Sequence, residues 1–332
     1  MGLDNLGEFG FIDRIKRSIV NSDNRIIKGI GDDCAVIKSS GEKAILFTTD
    51  ILVEDIDFIR ELTPAFKLGR KSLAVSLSDI AAMGGTPRDA VISAAIPRRI
   101  PLDYLDAIFA GIKSMAQEFD VNIVGGDTSG SPDKLVINIA LTGEACEDEI
   151  LYRSGAKPGD ILFLTGYVGA SAAGLHAIKA NHFEQKWQGL IEQQTNPLPH
   201  ITAGRLLSGL KLVHALIDVS DGLASDLNHI CEESGVGGVI HEDSIPVSDS
   251  ASEYIRIYSL DYRKLALFTG EDYILLGTMP SDTIAMAREA LKSSGWPFFI
   301  VGEIIEGKGI SLKTNDGSIE EIQPLGFDHF KT

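Results

Sequence analysis

ALIDVSDGLASDLNHICEESG, residues 215–235, decides the fold class. Residues 215–219 read as a strand, Ser220-Asp221-Gly222 as a turn, and the stretch behind it as a helix with Ser220 as its N-cap. A strand that passes through a polar turn into a helix is the unit of mixed α/β folds. Ligands in such folds bind beyond strand ends, where Asp218 and Asp221 stand here.

Similar units extend in both directions. Towards the N-terminus, Phe9, Ile12, Ile15 and Ile19 recur at helical spacing over 7–21. A β-like apolar run over 44–49 ends in Asp50. Pro64 and Gly84-Gly85 bracket a helix over 64–83, and Pro101 opens another over 101–119. Strands are expected at 90–95, at 135–143 with apolar residues alternating, and at 121–124, closed by Gly125-Gly126-Asp127. A polar stretch near 146–158, punctuated by Gly and Pro, marks a boundary between domains at 1–148 and 149–332. Beyond it come a strand at 161–164, the Gly-rich turn TGYVGASAAG (165–174) and its helix. After a loop at 195–200 and another helix, the pattern ends with strands at 273–278 and 298–303 around a helix at 281–294.

The 332 residues are 44% hydrophobic and 23% charged, which excludes a disordered chain. No run reaches the roughly 18 apolar residues of a membrane span. The N-terminus lacks the basic and apolar regions of a secretory signal. Cys34, Cys146 and Cys231 are odd in number and form no CxxC, which suits a reducing cytoplasm and offers no zinc site. The net charge of −17 repels a nucleic-acid backbone, so neither nucleic acid nor membrane is an expected partner. It fits either a plain acidic surface or carboxylates gathered to hold divalent cations.

The aspartates favour the second reading by position. Asp32 and Asp33 stand in GIGDDCA, Asp50 ends FTTD, Asp127 ends IVGGD, and Asp218 and Asp221 bracket Val219-Ser220. Each alone can be a turn or cap residue; together, beside small residues, they outline a site. Asp79 lies in LAVSLSDIAAM (73–83), a helix apolar on most sides. A carboxylate there must be paired, metal-bound or reach water at the helix end. Hard Mg²⁺ ions take oxygen ligands and bridge carboxylates to phosphates, so an acidic pocket implies a multi-metal phosphoryl-transfer site. No GxxxxGK[ST] loop and no protein-kinase motif is present. GYVGASAAG could cradle a phosphate or simply pack a helix.

Taken in order, GIGDDCAV (29–36), TTDILVE (48–54), LSDIAAMGGTP (77–87), IVGGDTS (123–129), RSGAKPGD (153–160), DVSDGL (218–223), TGEDY (269–273) and GFDHF (326–330) resemble the thiamine-monophosphate kinase family. That family belongs to the aminoimidazole-ribonucleotide synthetase superfamily. The resemblance implies a two-domain α/β (α+β) synthetase-like fold whose N-terminal domain dimerises through its sheet. It also implies ATP-dependent phosphorylation of thiamine monophosphate to thiamine diphosphate. By motif position, Asp32, Thr49, Asp50, Asp79, Asp127, Asp218 and Asp221 would hold several Mg²⁺ ions. Phe109, Gly126, Asp127, Arg153 and Ser220 would meet ATP. Asp57, Glu271 and Phe327 would meet the acceptor, with Phe327 stacking on a thiamine ring.

The chain departs from the family after TTD, where the pattern is LVEGVHF. Asp57 replaces a substrate-contacting His and Asp55 replaces a Gly. A carboxylate donates no hydrogen bond unless it is protonated. The acceptor is a phosphate monoester, so no general base is expected, and the expected chemistry is direct in-line transfer. The alternatives are another ATP-dependent superfamily member, such as aminoimidazole-ribonucleotide synthetase, and a non-catalytic nucleotide- or cation-binding protein.

Overall fold

The computed structural model describes residues 3–16, 18–19, 24–327 and 329–330. The first helix, α1 (Leu3–Lys16), begins and ends earlier than its apolar spacing suggests. Residues 17, 20 and 21 of that expected helix lie outside the described residues.

The first sheet contains β1 (Ile26–Lys28), β2 (Ala35–Lys38), β3 (Lys43–Val53), β4 (Thr86–Pro97), β5 (Asn122–Ser131) and β6 (Val136–Cys146), in the order β1-β2-β3-β6-β4-β5. Only the β4–β5 pair is parallel. On β6 the alternation seen in sequence holds, with Ile137, Ile139 and Leu141 buried. Two expectations fail here. β3 runs on through Asp50 to Val53, and β5 passes straight through Gly125-Gly126-Asp127 to Ser131. A Cβ on Gly126 would lie 1.9 Å from the Ile92 carbonyl oxygen, so glycine keeps the strand in place instead of ending it.

One face of this sheet is covered by α2 (Ala65–Ala82) and α3 (Leu102–Glu118). The two helices cross closely: a Cβ on Gly69 would meet the Ile108 carbonyl, and one on Gly111 the Phe66 carbonyl, each at 1.9 Å. The opposite face carries Ile45, Phe47 and Ile51 of β3 and Val91 of β4, all exposed.

The second part contains β7 (Asp160–Leu164), α4 (Ala170–Lys179), α5 (Gln188–Thr195), α6 (Ile201–Leu210), β8 (Ala215–Asp218), α7 (Leu223–Ser234) and β9 (Gly237–His241). It continues with α8 (Asp249–Ile257), α9 (Tyr262–Leu267), β10 (Leu275–Pro280), α10 (Ile284–Ser293), β11 (Phe299–Ile305), β12 (Gly309–Lys313) and β13 (Ile319–Ile322). Its seven strands order as β13-β12-β9-β11-β7-β10-β8, and β9–β12 is the parallel pair. No helix among the described residues is long and apolar enough to cross a membrane.

α2 belongs to both parts. Its apolar side meets β3 and β6, and its small residues admit the second part: a Cβ on Gly204 of α6 would lie 2.0 Å from the Ala81 carbonyl. One apolar core runs from Val36, Leu46 and Ile139 through Leu77 and Met83 to Leu207, Leu216 and Leu275.

Candidate active site

The site forms where α2 passes between β3 and β8. Asp79 projects from the last turn of α2, Asp218 ends β8, and Asp33 comes from the loop between β1 and β2. One oxygen from each lies within 4.8 Å of the others. The Thr48 hydroxyl donates to Asp79, and the Ser78 hydroxyl donates to Asp218 at 2.5 Å. Arg153, from the connection between the two parts, donates through Nε and Nη2 to Asp33 Oδ1 at 3.2 and 2.6 Å. Its backbone N–H donates to Asp32 at 3.1 Å, and Lys28 pairs with the other Asp32 oxygen at 3.3 Å.

Like charges this close raise one another's proton affinity. Burial first, and then the charge of Asp33, lifts Asp218 to about 8. Burial and Asp33 lift Asp32 to about 6, and Asp50 likewise to about 6 despite a hydrogen bond from Ser76. Asp79 is raised by burial and then by Asp50, Asp218 and Asp33. The Oδ2 atoms of Asp33 and Asp50 are buried and have no hydrogen-bond partner among the described residues. Carboxylate oxygens without donors, in a set of hard oxygen ligands, fit Mg²⁺.

Pleating divides the remaining candidates. Asp50, Ile139, Ile92 and Gly126 form one row across four strands, on the face that meets α2 and α3. Ile51, Asn138, Ser93 and Asp127 form the next row, on the opposite face. Thr49 shares that opposite face, where its hydroxyl accepts from Asn138 at 2.9 Å. Side chains at Asp33, Asp50, Asp79 and Asp218 are therefore brought together, while those of Thr49 and Asp127 are not. Phe109, on α3, lines an apolar cleft beneath Ile92, Ala94 and Ile96.

Ser220 is not the cap of α7, whose N-cap is Gly222. The turn is instead tied by the buried Asp226, which accepts from the N–H groups of Asp221 and Gly222 at 3.3 and 3.0 Å. The TGEDY turn lies against Ser220: Glu271 N–H donates to its carbonyl at 2.8 Å, and a Cβ on Gly270 would approach that oxygen to 1.8 Å. Phe327 N–H donates to the Asp221 carbonyl at 3.1 Å, which sets its half-exposed ring beside the turn and edge-on to His329. Asp57 accepts from Val53 N–H at 2.7 Å, and burial raises its proton affinity.

In GYVGASAAG the N–H groups at the start of α4 are already engaged. Those of Gly169 and Ser171 donate to the buried carboxylate of Asp272, at 2.8 and 3.3 Å. Sequence reasoning missed three participants. Thr48 and Ser78 hold two of the clustered carboxylates, and the buried Lys71 pairs with Glu271.

Comparison with known proteins bears on this arrangement. Residues 31–145 match the family model for the AIR synthase related protein N-terminal domain, and residues 157–315 match that for its C-terminal domain. The thiamine-monophosphate kinase of Bacillus subtilis is 34% identical over 309 residues, covering 91% of this chain and 93% of the relative. That of Aquifex aeolicus is 33% identical over 336 residues, covering 99% and 100%. A solved structure described as AaThiL complexed with AMPPCP and TMP superposes with a TM-score of 0.87 at 32% identity, covering 99% of both chains. A hydrogenase maturation HypE–HypF complex, at 23% identity and a TM-score of 0.74, shares the fold. Near-complete overlap with these kinases, at about one residue in three identical, makes this chain a member of the thiamine-monophosphate kinase family.

Proposed function

We infer that this protein transfers the terminal phosphoryl group of ATP to thiamine monophosphate, giving ADP and thiamine diphosphate. The observation that carries the reading is the convergence of Asp33, Asp79 and Asp218 within 4.8 Å, beside carboxylate oxygens that no protein donor satisfies. Asp33, Asp50, Asp79 and Asp218, with Asp32 and Asp221 beside them in the chain, would hold Mg²⁺; Thr49 and Asp127, on the opposite sheet face, stand apart from this cluster. Bound at the cluster, the ions would neutralise charge on the phosphates of the two reactants.

The chain's own groups do the rest. Gly126 lies three strands from Asp50, about 14 Å at the usual strand spacing. Gly126, on the exposed edge strand β5, and the partly exposed Phe109 of α3 would meet ATP from outside the sheet, because Ile139 and Ile92 in the row between Gly126 and Asp50 are buried. Arg153 and Ser220 flank the phosphate end of ATP. Glu271 and Phe327 present a carboxylate and an aromatic face, a pairing that suits the cationic thiazolium ring of the acceptor. The acceptor phosphate is largely ionised near neutral pH, so no side chain is needed to remove a proton. Its oxygen attacks the terminal phosphorus in line and ADP leaves, with no phospho-enzyme.

The test is a mass-resolved assay with ATP, Mg²⁺ and thiamine monophosphate. Thiamine diphosphate and ADP should form in equal amounts and cease to form with EDTA. ATP cleavage without thiamine diphosphate would overturn the reading.

We assign the uncovered sheet face to a homodimer, in which Thr49 and Asp127 bring oxygen donors to the interface. Contiguous exposed apolar surface of this kind marks association sites. Phe47→Glu should yield monomers by light scattering and lower turnover, whereas an unchanged dimer would refute the assignment. The three free cysteines support a cytoplasmic location, where thiols stay reduced.

A further inference from the structure

Lys71 sits on α2 two turns before Asp79, and it is 2% exposed. A buried ammonium is strongly unfavourable unless paired. Its partner is Glu271, 200 residues away in sequence. The second oxygen of Glu271 accepts from Gln194 Nε2 at 2.8 Å, and Gln194 in turn accepts from the Ser171 hydroxyl. Glu271 adopts φ 64, a left-handed conformation that a side chain of its size rarely takes. The carboxylate is therefore fixed from three elements, at the expense of backbone strain. Asp57, half-buried and held by the Val53 N–H at 2.7 Å, lies within electrostatic reach of His329, Glu271 and Lys71.

An acceptor subsite with two carboxylates has a conflict to resolve. Thiamine monophosphate brings a cationic ring, which Glu271 attracts, and a phosphate, which Asp57 and Glu271 both repel. We propose that Lys71 is a positioning residue of the acceptor subsite: it holds the Glu271 carboxylate for the cationic ring and offsets the negative charge that Asp57 adds. This rests on the kinase reading above. Affinity for the acceptor depends on Lys71, and affinity for ATP does not.

Lys71→Met keeps the volume of the side chain and removes its charge. It should raise KM for thiamine monophosphate about tenfold or more, the loss expected of one charged hydrogen-bonded pair, and leave KM for ATP within about twofold. Glu271→Gln should give the same split. The double variant should be no worse than the poorer single variant, because the two residues act as a unit. Parallel rises in both KM values, additive losses, or an unchanged KM for the acceptor would each overturn the proposal. Calorimetric titration with thiamine monophosphate alone separates this failure from failure of the kinase reading. A wild type that binds the acceptor without turnover refutes the reaction and leaves Lys71→Met to be judged by its binding constant. A wild type that binds no acceptor refutes both. If Lys71→Met does not fold, Glu271→Gln and Gln194→Leu carry the same test, each expected to weaken the acceptor alone.

Discussion

Asp79→Asn should lower kcat by about 10²–10³-fold, the usual loss when one preorganised electrostatic group is removed from a transfer site, and should raise the stability of the metal-free protein. The two signs share one cause. Asp79 stands among Asp33, Asp50 and Asp218, whose charges oppose its ionisation. An amide keeps the acceptor for the Thr48 hydroxyl and removes one of the mutually repelling charges. Groups arranged for chemistry are commonly destabilising in this way. Without Mg²⁺ the variant should melt a few degrees above the wild type, and with saturating Mg²⁺ the order should reverse. Scanning calorimetry with EDTA and with Mg²⁺, beside steady-state kinetics, measures both arms. Near-wild-type kcat, or a metal-free variant that melts lower, would count against cation binding at this cluster.

Arg153→Met should destabilise the protein by about 3–5 kcal/mol, the range for removing one partner of a buried ion pair. The guanidinium makes two bonds to Asp33, whose side chain is fully buried, while its backbone N–H holds Asp32. Its loss leaves Asp33 next to Asp79 and Asp218 with no cation. Asp33→Asn in the same chain should recover most of the deficit, since the orphaned charge, rather than the lost bond, is the larger part. Urea unfolding of the two variants and the wild type decides this. A single-variant loss below about 1 kcal/mol, or no recovery in the double variant, would show that the pair contributes little.

How far the chain can be read by itself depends on how local each signal is. The helices at 64–83 and 101–119 are legible because Pro64, Gly84-Gly85 and Pro101 act within a residue or two of their own position. The alternation on β6 is legible for the same reason. The parity of β3 is not. Thr48 and Thr49 are adjacent and chemically identical, and only pairing with β6 decides that Thr48 faces Asp79 while Thr49 faces outward. The glycines of β5 read as a stop because nothing local indicates that Ile92 will lie against Gly126. The N–H groups of the Gly-rich turn look free in sequence because Asp272, which fills them, lies about 100 residues on. Lys71 passes for a surface lysine for the same reason. Short elements with weak patterns, such as β1, β12 and β13, also carry no sequence signal strong enough to place them.

The placement of α2 has a consequence for how the molecule comes apart. Lobes that melt separately need a seam that water can enter cheaply. Here such a seam would strip one side of a helix whose residues from Leu68 to Ala82 are almost all buried, and would cut a core continuous from Val36 to Leu275. Unfolding should thus couple the two parts through this shared core, and a fragment severed near residue 150 would take either a naked helix or a roofless sheet with it. Damage anywhere in that core reaches the carboxylates, because the helix that carries Asp79 is also the keystone between the halves.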